Sequence, residues 1–153
     1  MNTKSGSLFR MMFLWLYLFC FAFCIVLILA LYHKNRIQAG SGTTNDPNNL
    51  KSGLFQVYSS YSTYIAILTA FYYNSRKISS NPEQEQQVGT AFWIALFSSV
   101  LWNALNVLSL VRCWYGGTIE AALDMIGYWG TLFSFLPALF IGLYIANPVT
   151  NKP

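Results

Sequence analysis

The chain has 153 residues, of which 55% are hydrophobic, 18% aromatic and only 9% charged, with a net charge of +4. A soluble domain carries charge on about a quarter of its residues, so this composition excludes an ordinary water-soluble globule. The basic excess is scattered along the sequence, which suits anionic lipid headgroups and excludes a nucleic-acid-binding patch.

Four apolar stretches explain the shortage of charge: Leu8 to Tyr32, Leu54 to Tyr73, Gly89 to Val111 and Ile119 to Ala146. Each reaches the roughly 20 residues that a helix rising 1.5 Å per residue needs to cross a hydrocarbon core. The sequence therefore predicts an all-α integral membrane protein, a single domain over residues 1–153 with four transmembrane helices. The longest segment between spans runs from His33 to Gly53 and leaves no room for a folded catalytic domain, so no enzyme activity is expected.

The first span is bulky and apolar on every side, and is expected to be the most lipid-exposed helix, with almost nothing to bond across helices. It is longer than a signal-peptide core and is followed by His33, Lys34 and Arg36, which predicts an uncleaved anchor. The following loop, Ile37 to Asn49, is rich in Gly, Ser, Thr and Asn, with Asp46-Pro47 as a turn signal.

The second span is polar for a membrane helix. Its run Tyr58-Ser59-Ser60-Tyr61-Ser62-Thr63-Tyr64 leads into a small or hydroxylated face of Ser59, Ser62, Ala66, Thr69 and Tyr73. Such a face prefers a helix contact or a wet cavity. In the linker that follows, Pro82 is placed to start a helix, with Glu83 and Glu85 at its positive end.

The third span carries Ala91, Ala95, Ser99, Asn103 and Asn106 along one side. The two carboxamides need a partner helix or water, because the backbone cannot satisfy every donor and acceptor they carry. Trp102, near the middle of this span, wants a partner for its indole N–H and is expected to pack against another span. The short linker Arg112 to Thr118 contains Gly116-Gly117, which predicts a tight antiparallel hairpin of spans three and four.

The fourth span repeats small residues every fourth position: Gly130, Ser134, Ala138, Gly142 and Ala146. This pattern lets helix backbones approach closely, and with Asn103 and Asn106 it forms the expected packing surface. Beside it lies a second seam of Glu120, Asp124, Gly127, Thr131, Ser134 and Ala138, passing from acidic through hydroxylated to small side chains. Pro137 removes an N–H and crowds the preceding turn, so a hinge is expected between Phe133 and Pro137. Glu120 suits the positive end of this helix, Thr118 can cap it, and Arg112 is within reach of either acid across the short linker.

Catalytic residues, a metal site and cofactors are not expected. Cys20 and Cys24 lack the Cys-X-X-Cys spacing, Cys113 stands alone, and His33 is the single histidine. Flanking basic residues divide almost evenly between the two faces. The pair Arg76-Lys77 beside a span end favours cytoplasmic termini, and the lack of any Asn-X-Ser/Thr acceptor in the sequence is compatible with a bacterial inner membrane.

The leading expectation is a homo-oligomer whose fourth spans surround an ion-conducting or membrane-permeabilising pore, with the acidic-to-small seam as its lining and a soluble partner or ligand as controller. The alternatives are a non-conducting accessory or scaffold subunit and, less favoured, a proton-coupled transporter titrating at Asp124.

Overall fold

The computed structural model describes residues 5–34, 46–78 and 90–146. They form α1 (Ser5–His33), α2 (Pro47–Ile78), α3 (Thr90–Trp114), α4 (Ile119–Leu132) and α5 (Phe135–Ala146), with no strand among the described residues. Three helical stretches are long and apolar enough to cross a membrane: Met11–His33, Phe92–Trp114 and Ile119–Gly142, the last comprising α4 and most of α5. The second helix falls short of that apolarity because the Tyr58 to Tyr64 run fills its centre.

Helix α2 begins well before the apolar stretch that announced it. Asp46 caps it, accepting the Asn48 backbone N–H on Oδ1 at 2.8 Å. Pro47 then occupies the first helical position, where its missing N–H costs nothing. The Asp46-Pro47 turn signal is thus a helix start, and Pro47 to Asn49 belong to α2 rather than to the preceding loop. The expected helix start at Pro82 lies outside the described residues.

The core is a column of side chains from all the helices. On α1, Phe13, Tyr17, Cys24, Ile28 and Leu31 are buried, steps of three, four and seven that hold one helical face inward. Phe13 meets Phe92 edge-on with ring centroids 5.6 Å apart, and at the other end Lys34 Nζ sits 4.0 Å from the centre of the Trp114 ring. Helices α1 and α3 therefore run in the same direction. On α2 the inward residues are Gly53, Val57, Tyr61, Tyr64 and Leu68. A Cβ added at Gly53 would lie 3.5 Å from Ile28 Cδ1 and 3.6 Å from Leu123 Cδ2, so α1, α2 and α4 converge on that glycine.

The α3–α4 connection is closed by its own backbone. Gly117 N–H donates to Arg112 O at 3.1 Å and Gly116 N–H to Cys113 O at 3.3 Å. Gly116 has φ +113°, a conformation that only glycine takes up without strain. Thr118 then caps α4, its Oγ1 accepting from Ala121 N–H at 3.3 Å, and Ile119 turns into the core. Helix α3 packs against both α4 and α5.

The fourth stretch is two helices. The proline ring at position 137 takes the place of an N–H that would bond to Phe133 O, and that carbonyl instead accepts Leu136 N–H at 3.1 Å. The break falls at Phe133 and Ser134, leaving Pro137 in the first turn of α5, where a proline is tolerated.

Candidate functional site

The polar groups of the interior gather where α1, α2, α3 and the α4–α5 break meet. Trp102 on α3 is 1% exposed and is enclosed by tyrosines. Tyr17 stacks on it at 5.8 Å, Tyr61 meets it edge-on at 5.0 Å, and Tyr64 lies tilted at 5.0 Å. Aromatic pairs at these separations add stabilisation beyond the area they bury. The expectation that Trp102 packs against another span understates the arrangement, since two helices supply its neighbours.

Each tyrosine hydroxyl in this cluster is placed. Tyr17 donates to Ser99 Oγ at 3.4 Å, Tyr61 Oη lies 3.8 Å from Cys24 Sγ, and Tyr64 donates to the carbonyl of Ser134 at the helix break. The first two contacts correct the reading of span one: α1 does bond across helices, through Tyr17 and Cys24. Its outward face, with Trp15, Phe19, Phe23, Val26 and Leu29, is exposed and apolar. Of the face expected at a helix contact or a wet cavity, Ser59 and Ala66 are exposed on the protomer and Ser62 and Thr69 half-buried, while the side chain of Tyr73 lies outside the described residues. Ser59 bonds back to Gln56 O at 3.0 Å and Ser62 to Ser59 O at 3.5 Å, so these hydroxyls are satisfied within their own helix.

On α3, Ser99, Asn103 and Asn106 are buried together with Ser98 and Ser109. The carboxamide nitrogens of both asparagines donate to carbonyls one turn earlier, Asn103 to Ser99 O at 2.8 Å and Asn106 to Trp102 O at 3.0 Å. Among the described residues, the oxygens of both, and Trp102 Nε1, are buried without a hydrogen-bond partner.

The seam of the fourth stretch is divided among three environments. Glu120 and Asp124 are exposed on α4. Gly127 and Gly130 turn towards α2: a Cβ at Gly127 would come within 2.8 Å of Gln56 Nε2, and one at Gly130 within 3.5 Å of Ser60 Oγ. Ser134 stands at the break, half-buried, while Ala138 and Gly142 are exposed and Pro137 is buried. The side chains of Thr131 and Ala146 lie outside the described residues. Arg112 Nη1 points to Met125 Sδ at 3.9 Å rather than to either acid. The helix break therefore prevents the two small-residue and acidic rows from running as straight stripes.

Among the described residues, no three of His, Cys, Asp and Glu come together to hold a metal ion. The architecture is that of an all-helical protein with helices able to cross a membrane several times. Comparison with protein-family models, with characterised proteins and with solved structures finds no match to this chain.

Proposed function

We propose that the chain crosses the membrane four times, with spans three and four as a tight antiparallel hairpin, and assembles with copies of itself around an ion-conducting or membrane-permeabilising pore. The observation that supports this most is the outward placement of the acids on α4. Glu120 and Asp124 are exposed on the protomer, and Asp124 lies about 7.5 Å along the axis from the start of its helix at 1.5 Å per residue. A carboxylate on the outer face of a spanning helix is costly against lipid and favourable around a wet axis, where repeated copies make a ring that attracts cations. On α5, beyond the break, Ala138 and Gly142 are exposed small residues suited to close contact between copies.

The full chain reconstituted in planar bilayers tests the reading. A cation-preferring conductance is expected, together with an oligomer in detergent. Asp124→Asn and Glu120→Gln are each expected to move the reversal potential in a salt gradient towards that of a non-selective pore. Silent bilayers from a monomeric protein count against a pore, and unchanged reversal potentials in both variants remove the acids from selectivity.

A further inference from the structure

Three of the buried side-chain atoms without a partner lie within five residues of α3: Trp102 Nε1, Asn103 Oδ1 and Asn106 Oδ1. The three residues are 1%, 2% and 0% exposed in a single protomer. No second copy, lipid or soluble partner reaches them from outside, so assembly leaves them as they are. The orientation of the carboxamides follows from chemistry. Each NH2 donates to a carbonyl of its own helix at 2.8 or 3.0 Å, and turning either amide over would set its oxygen against that carbonyl's lone pairs. The free groups are thus two acceptors and one donor.

A buried unsatisfied polar atom costs about 1–3 kcal/mol, and native proteins meet such groups with internal water. We propose that Asn103, Asn106 and Trp102 form a binding site for water inside the protomer. Water is the occupant whose chemistry fits, being small and able to donate to a carboxamide oxygen or to accept from the indole N–H. The neighbouring cluster of Tyr17, Tyr61 and Tyr64 encloses Trp102, so the bound water is held apart from bulk solvent and exchanges when the bundle breathes. The site belongs to one protomer and does not depend on the pore reading.

Water-edited solid-state NMR on the full chain in phospholipid bilayers, uniformly labelled with 13C and 15N, tests it. Magnetisation from water is expected to reach the carboxamides of Asn103 and Asn106 and the Trp102 indole severalfold faster than the fully buried side chains of Leu110 and Ile126. Asn103→Leu and Asn106→Leu identify the signals by their loss, and sequential correlations in the unsubstituted protein do so if either variant fails to fold. Transfer to all three groups no faster than to Leu110 and Ile126 overturns the proposal.

Discussion

Trp102 joins three tyrosines from α1 and α2, so its side chain fills a space that no single helix can close. Trp102→Ala is expected to cost about 3–5 kcal/mol, the range for emptying a large aromatic site. Equilibrium unfolding in mixed micelles measures it. The sequence marked Trp102 because a mid-span indole stands out, and marked the asparagines for the same reason. Tyr17 was not legible: in a helix as uniformly bulky as α1, a tyrosine carries no periodic signal to separate an inward ring from an interfacial one. The inward face appears only when Phe13, Tyr17, Cys24, Ile28 and Leu31 are seen against α2 and α3. Gly116 is the reverse case, since a Gly-Gly pair between two apolar runs announces a turn directly. Gly116→Ala places a side chain at φ +113° in open space, so its expected cost of about 1–3 kcal/mol is backbone strain alone. The same unfolding assay reads it.

At the scale of elements, the apolar runs predicted where helices lie but not which faces they turn inward. The hydroxyl-rich row of α2, expected at a helix contact or a wet cavity, lies outward on the protomer with Ser59 and Ser62 bonded to their own helix, and the neighbouring tyrosine row enters the core. The tyrosines gain more from the interior than small residues do, because each ring packs against Trp102 and each hydroxyl meets a group outside α2. Pro137 was legible as an interruption, while its consequence was not. With Phe133 O taken by Leu136 N–H, the chain separates into α4 and α5, and Tyr64 from α2 adds its hydroxyl to the carbonyl of Ser134, which also accepts Ala138 N–H at 3.4 Å. Pro137→Ala restores an N–H for Phe133 O. It is expected to merge the two helices and to slow amide exchange at Phe135 and Leu136 severalfold in hydrogen–deuterium exchange. Unchanged exchange there means that the Tyr64 contact and the surrounding packing, rather than the proline, set the break.

At the scale of the whole molecule, the small residues of the fourth span meet two different surroundings. Gly130 of the stripe and Gly127 of the seam beside it face Ser60 and Gln56 of α2 within the protomer, whereas a Cβ at Gly142 meets nothing within 4 Å among the described residues. A regular four-residue repeat in the sequence conceals this division, since it presumes one straight helix. Two substitutions separate the roles. Gly127→Leu forces Gln56 aside and pushes α4 away from α2, so it is expected to destabilise the protomer by about 1–3 kcal/mol through overpacking. Gly142→Leu is expected not to destabilise the protomer, because leucine favours a helix interior over glycine by up to about 1 kcal/mol, but in the proposed assembly it puts a bulky side chain where close approach of two copies needs a small one. Native mass spectrometry from micelles is expected to show the Gly142→Leu protein dissociated, with thermal unfolding of its protomer not lowered. If Gly142→Leu stays fully assembled, α5 does not form the contact between copies, and the interface belongs to another outward face such as the apolar side of α1.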